Sequence, residues 1–191
     1  MKLWTIQPAE IMNEIEEKGY FICIPEKAEN LQYDSFKRAY EWLLKEMSVR
    51  VSEKPTDVSF PIWAWHTRDW KRKKPDLRCS AYDKKGTKCV CLELEVPDNE
   101  VLLSDFDHWH YVLNNMYLDN STNEEEWEKE QDWFDTLSPE EKEKTRENSW
   151  LKIFNIEPID TDWVCSGRFI QATFWKLKKE YIKSTQYFTA R

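Results

Sequence analysis

The apolar positions along the chain change period several times, and each change marks an element. Leu3–Ile6 reads as a short strand, and Pro8–Lys18 as a helix with Ile11, Met12 and Ile15 on one face. Gly19 stands where a helix C-terminal glycine is favoured, and Tyr20–Ile24 resumes as a strand. The clearest helical period runs over Leu31–Val51, where Phe36, Tyr40, Leu43, Leu44 and Met47 form one stripe. Phe60–His66 reads as a strand entered from a proline. Along Lys88–Val96, the residues Val90, Leu92, Leu94 and Val96 face one way and Glu93 and Glu95 the other, the alternation of a half-exposed strand.

Further on, Ser104 is expected to cap a helix, with Asp107 at its third position in a variant of the capping box. Phe106, Trp109, His110, Leu113 and Met116 would form its apolar stripe, with His110 buried and His108 more exposed. Ser138-Pro139-Glu140-Glu141 joins an N-cap, a proline at the first position and a glutamate three residues on, which marks another helix start. That region carries few apolar residues, so it reads as a solvated helical insertion pinned by Trp127, Trp133 and Phe134. Phe169–Lys176 and Thr185–Phe188 read as C-terminal strands joined by Leu177–Lys183. Strands at both ends with helices between them predict an α+β fold: one domain over 1–191, with a small mixed or antiparallel sheet and an acidic helical insertion over 119–148.

Composition narrows the function classes. Only three glycines occur in 191 residues (Gly19, Gly86 and Gly167), too far apart for a glycine-rich phosphate loop. The five cysteines form no CxxC pair, and Met1–Ile6 carries no secretory signal, so reduced thiols in a cytoplasmic protein are expected. No apolar run approaches the roughly 20 residues of a membrane span, so no membrane partner is expected. Residues Asp119 to Glu147 hold 12 acidic and 4 basic side chains, which accounts for the whole net charge of −8. The remaining chain is neutral, and a nucleotide or nucleic-acid partner there is compatible with the acidity elsewhere. The acidic insertion itself offers a surface for a protein partner, or is simply a solvated face.

The chain holds 11 tryptophans, and their densest cluster is Trp63, Trp65 and Trp70 with His66. From Arg68 to Arg78 the chain carries six basic and two acidic residues. Aromatic faces stack on bases and nicotinamide rings while Arg and Lys hold phosphates, so Trp63, Trp65, His66, Arg68, Trp70 and Arg78 form a candidate ligand site. In the structural alternative, Trp63 and Trp65 pack inside and Lys71–Lys74 is a solvated loop. His108 and His110 lie two residues apart, about 200° around a helix, which does not suit a shared metal. Cys89 and Cys91 can share a strand face but have no second pair nearby in sequence, and no local signature marks a nucleophilic triad.

Several stretches together resemble one family: Met1-Lys2-Leu3-Trp4-Thr5-Ile6-Gln7, Phe60-Pro61-Ile62-Trp63-Ala64-Trp65, Lys74-Pro75-Asp76-Leu77-Arg78, Val101-Leu102-Leu103-Ser104-Asp105-Phe106 with Trp109 and Leu113-Asn114, and Ile170-Gln171-Ala172-Thr173-Phe174-Trp175. They are similar to the bacterial domain-of-unknown-function family 3841, which implies a bacterial, cytosolic, single-domain protein and brings no established activity. The order of elements also resembles ADP-ribosyltransferase folds. That likeness implies NAD as cofactor, held in an aromatic-lined cleft, with a residue near the start of a late strand orienting the ribose. Gln171 falls near that place as the candidate catalytic residue, where those enzymes carry a glutamate. Glutamine hydrogen-bonds but brings no negative charge to a cationic transition state. The opening segment Leu3–Pro8 also resembles barrel-like nucleic-acid-binding modules, which leaves a non-catalytic nucleic-acid- or protein-binding regulatory module as the other reading.

Overall fold

In the computed structural model, which describes residues 1–25, 34–79 and 83–191, the chain opens with strand β1 (Lys2–Pro8), helix α1 (Ile11–Lys18), the short strand β2 (Tyr20–Phe21) and helix α2 (Asp34–Arg50). Strands β3 (Ile62–Arg68), β4 (Lys88–Glu95) and β5 (Leu102–Asp105) lead into helix α3 (Phe106–Leu113). Helices α4 (Glu124–Thr136) and α5 (Pro139–Ser149) come next, then a 3₁₀ turn over Trp150–Phe154. The strands β6 (Ile159–Asp160), β7 (Cys165–Ser166), β8 (Phe169–Phe174), β9 (Leu177–Lys178) and β10 (Ile182–Thr189) close the chain.

One sheet carries the fold, in the order β10-β4-β1-β3-β8-β5, and every neighbouring pair is antiparallel. The fold is therefore α+β, as the element pattern predicts. Side chains alternate across the pleat, so each face has its own composition. One face presents Leu3, Ile62, Ala64, Val90, Leu92, Leu94, Ala172 and Phe174 to Ile11 and Ile15 of α1 and to Phe21, Leu177 and Tyr181. On the other face, Leu102 meets Trp109 and Val112 of α3, Trp42, Leu43 and Met47 of α2, and Trp150 and Ile153. The sheet thus separates two apolar cores.

Two features interrupt its regularity. Strands β1 and β3 are paired in register only at Trp4–Trp65, and further along the Thr5 hydroxyl donates to the Trp63 carbonyl at 2.8 Å. A side chain there takes the place of a ladder bond. At the far end of β3, Arg68 and Lys71 exchange backbone hydrogen bonds across Asp69 and Trp70, both at positive φ (51° and 63°). This is the two-residue hairpin turn whose backbone suits strand twist, occupied here by residues other than the usual Asn-Gly. The Arg168 guanidinium at 3.1 Å from the Asp69 carboxylate and the Trp70 N–H bonded to the Arg168 carbonyl hold it.

The structure corrects several local expectations. The segment before α3 is strand β5, and Asp105 rather than Ser104 caps the helix by accepting from the His108 N–H at 2.9 Å. Asp105 is fully buried and its other oxygen accepts from the Gly167 N–H at 2.6 Å. A β-carbon at Gly167 would sit 2.9 Å from the Ile156 carbonyl oxygen, and its φ is +78°, so only glycine fits that approach. With the cap moved one residue on, the buried stripe of α3 is Trp109 and Val112; His110 is exposed and His108 is the half-buried one. The helix ends at Leu113, which leaves Met116 on the surface. The expected strand Tyr20–Ile24 shortens to Tyr20–Phe21. The opening turn of the expected Leu31–Val51 helix, 31–33, lies outside the described residues.

The acidic segment forms two capped helices. Asn123 accepts from the Glu126 N–H, and Ser138 with Glu141 makes the full reciprocal capping box. Trp127 and Trp133 remain 43% and 47% exposed, so they do not pin it. Phe134 does, stacked on Tyr117 at 4.6 Å and 3°. Hydrogen bonds complete the attachment: Leu118 N–H to the Ser149 hydroxyl, and the buried Trp150 indole to the Met116 carbonyl.

Candidate functional site

The sheet face opposite α1 is covered unevenly. Near β5 it lies under α2 and α3, while toward β4 the basic segment after β3 crosses it. Arg72 donates to the Lys2 carbonyl at 2.6 Å, Lys74 bonds the Gln186 side chain, and Pro75 is buried. Lys71–Lys74 are exposed, yet their segment is fixed to the sheet rather than loose.

Between these covers, where β1 and β3 part, lies a cleft of about 480 Å³. Trp63 and Trp65 of β3, Arg68, and Gln171 of β8 line it together. Four of the expected residues therefore converge. Register explains the meeting: Trp65 stands opposite Gln171 and Trp63 opposite Thr173, so all four side chains project to one face. The Trp65 ring has the Arg68 guanidinium 4.8 Å from its centroid and Phe106 at 5.2 Å. Trp63 contacts Trp109 at 5.3 Å and Tyr40 at 6.1 Å.

The other expected residues lie elsewhere. His66 is at the irregularity between Trp65 and Thr67, its Nδ1 2.9 Å from the Thr67 hydroxyl. Burial first, then the Arg72 charge, push its imidazole down to about 4, against an opposing pull from Asp98. Trp70 occupies the hairpin turn, outside the cleft lining. Arg78 is exposed and chelates Asp76 at 2.7 Å, which holds that carboxyl well below the usual carboxylate range. Its neighbour Cys79, not Arg78, lines the cleft.

Sequence reasoning missed Phe106, Asp107 and Phe169. Asp107 was occupied by the supposed cap of Ser104. Once Asp105 is the cap, Asp107 becomes the second residue of α3 and lines the cleft. Burial and the neighbouring Asp105 charge raise its carboxyl above the ordinary value. The signal was the apolar Leu102–Leu103 pair before Ser104, which reads as the end of a strand.

The buried Nε1 of Trp63 has only a weak contact with the Tyr40 phenol, and one buried polar atom of the cleft lining, Oε1 of Gln171, has no hydrogen-bond partner. Such atoms are rare in native interiors because each forfeits its hydration without compensation. A second cavity of about 500 Å³ shares Gln7 and Trp63 with the first and continues past Tyr40, whose phenol burial pushes up to about 12. Cys89 and Cys91 are buried on β4, and burial raises both thiols. Among the described residues no helix is long and apolar enough to cross a membrane.

Fold and cleft together define an α+β domain with an aromatic, mixed-charge pocket opening on one sheet face. The chain belongs to the family called domain of unknown function 3841 (DUF3841), which matches residues 2–183. No curated protein and no solved structure matches it, so the likeness to ADP-ribosyltransferases rests on element order alone.

Proposed function

We propose that the cleft between β3, β8 and α3 binds a nucleotide, with NAD the leading candidate ligand, and that the protein is a nucleotide-handling enzyme. The observation that carries this reading is the unpartnered buried Oε1 of Gln171 beside the Trp65–Arg68 stack. That oxygen is an acceptor suited to a base amino group or a ribose hydroxyl. Trp65, Phe106 and Phe169 offer ring faces, and Arg68 brings a cation to the same wall for a phosphate. A volume of about 480 Å³ holds a small ligand of mononucleotide size, and the adjoining cavity gives a dinucleotide room to extend. Asp107 would supply the negative charge that Gln171 lacks for a cationic transition state.

A second reading is a non-catalytic module that places one base of a single strand in the cleft and its backbone along Lys71–Lys74. The exposure of all four basic side chains beside the cleft favours it.

Titration of intrinsic tryptophan fluorescence with NAD, AMP and a short single-stranded oligonucleotide tests both. The enzyme reading expects NAD to change the signal and to be consumed, the nicotinamide–ribose bond breaking with release of nicotinamide while the ribosyl carbon is captured by water or an acceptor nucleophile. The module reading expects the oligonucleotide alone to bind, with affinity falling steeply as salt rises. Silence from all three ligands at millimolar nucleotide and micromolar oligonucleotide would overturn both readings.

A further inference from the structure

On the other side of α3 lies a cleft of opposite character, about 540 Å³ in volume. Three carboxylates line it, Asp107 from α3, Asp119 from the segment before α4, and Asp162 from the β6–β7 turn. Trp127 of α4 and Trp163 of the turn stand in the same wall, 43% and 44% exposed. Exposed tryptophans are normally few, and two lining one cavity with three carboxylates make an unusual surface. The turn is rigid: the Thr161 hydroxyl accepts from the Val164 N–H at 2.9 Å, and the Thr161 N–H bonds the Val164 carbonyl at 2.9 Å.

An independent observation points to a ligand. Ser121 lines this cleft, is only 5% exposed, and its hydroxyl has no partner. That hydroxyl can accept from a ligand N–H and still has its own proton to donate. The His108 imidazole also lines the cleft, its buried Nδ1 without a hydrogen-bond partner and 3.9 Å from the Asp105 carboxylate. Lys152 bonds the Leu118 carbonyl and feels Asp119, and Arg168 feels Asp107, but neither lines the cavity.

We propose that this cleft binds an organic cation, an alkylammonium or guanidinium group whose N–H donors meet Ser121 and the carboxylates while its charge lies against the Trp127 and Trp163 rings. A compact metal ion does not fit, because among the described residues no three His, Cys, Asp or Glu side chains converge closely enough to hold one. Spread carboxylates with aromatic walls suit a larger, less hydrated cation, which gains from ring faces as well as from charge. The net charge of −8 concentrated in Asp119–Glu147 would draw such a ligand to this side of the molecule. The site shares Asp107 with the first cleft, whereas Asp119, Ser121, Trp127, Asp162 and Trp163 line this one and not the other.

Isothermal titration of the full chain with spermidine, and in parallel with N-acetyl-arginine amide, tests this. The control is the double variant Asp162→Asn with Trp163→Ala, at two exposed turn positions whose change leaves the core untouched. One cation should bind, and the double variant should bind it about tenfold more weakly, the combined loss of one exposed charge pair and one ring contact. Tighter binding of spermidine makes the natural ligand a free polyamine; tighter binding of the arginine amide makes it a side chain of another protein. The proposal is overturned if neither cation titrates, if the double variant binds as the parent does, or if magnesium binds with equal affinity and the same loss.

Discussion

The two faces of the central sheet are packed differently. The face toward α1 holds a nearly closed apolar core in which Leu3, Val90, Leu92, Leu94 and Ala172 are all fully buried, opened only at its rim, where Ile11, Phe21 and Ile62 line the second cavity. The opposite face is packed near β5 and, toward β4, over Trp4, Cys89 and Cys91. Between the two it keeps a cleft, a stacked guanidinium, and a buried Gln171 oxygen without a partner. Interiors reach close packing wherever function leaves them free to do so, and orphaned polar groups mark the exceptions. The contrast is one of packing: the cleft and the unpartnered Gln171 oxygen lie on the face opposite α1.

The largest effect should therefore come from the closed face. Leu92→Ala, at the centre of β4, should lower stability by about 3 kcal/mol because the rigid surroundings leave a cavity. Trp65→Ala, on the cleft, should lower it by less than half that amount despite the larger side chain, because the ring is already half-exposed. Urea unfolding of the two variants decides the matter: equal losses would erase the distinction between the faces.

Asp105 joins the two regions, and its removal should come next in size. Asp105→Ala deprives both the α3 cap and the Gly167 N–H of their acceptor in a buried setting, a loss of about 2–3 kcal/mol. Asp105→Asn keeps one carbonyl acceptor and should recover part of it. A loss below about 1 kcal/mol for the alanine variant would show that α3 is held by Trp109 and Val112 alone.

What the chain disclosed about itself follows the same division. Period-two alternation identified β4 and period-three-to-four spacing identified α2; in β4 the alternation shows through Glu93 and Glu95, while Cys89 to Leu92 are buried on both faces. Ser138 was legible because its capping box is wholly local. Strand β5 was not: four residues carry too little pattern, and Ser104 beside Asp105 offers two cap candidates one residue apart. Choosing the wrong one reversed the burial of His108 and His110 and hid Asp107 from the site. Trp63, Trp65 and Arg68 were legible as a cluster because they lie on one strand; Phe106, Phe169 and Asp107 join them through strand pairing, which no local spacing encodes. Arg78 stood near them in sequence, but its ion pair with Asp76 keeps it outward.

A smaller effect distinguishes the strand's other side. The His66 imidazole titrates near 4 in the folded chain and near its ordinary 6.5 when unfolded. Between those values the unfolded state binds more protons, so stability rises with pH across that window and falls as pH drops from 6.5 toward 4. After discounting for the half-exposed ring, the effect is about 1–2 kcal/mol. His66→Gln should flatten that slope in unfolding measurements at pH 4.5 to 7, while leaving ligand response in the cleft unchanged. An unaltered slope would assign the pH dependence to carboxylates instead.

The smallest effect is the most informative, because its sign is unusual. Gln171 lies on β8 with its side-chain oxygen buried and unpartnered in the ligand-free protein. Replacing it by Met keeps the length and apolar bulk of the side chain and removes the orphaned acceptor, so the free protein should gain up to about 1 kcal/mol. The same change should abolish the response to whichever ligand uses that oxygen. Gain of stability with loss of binding is the mark of a group kept unsatisfied for a partner. If Gln171→Met instead loses stability, the amide serves the fold, no unpartnered group among the described residues marks the cleft as a site, and the two faces of the sheet differ in packing alone.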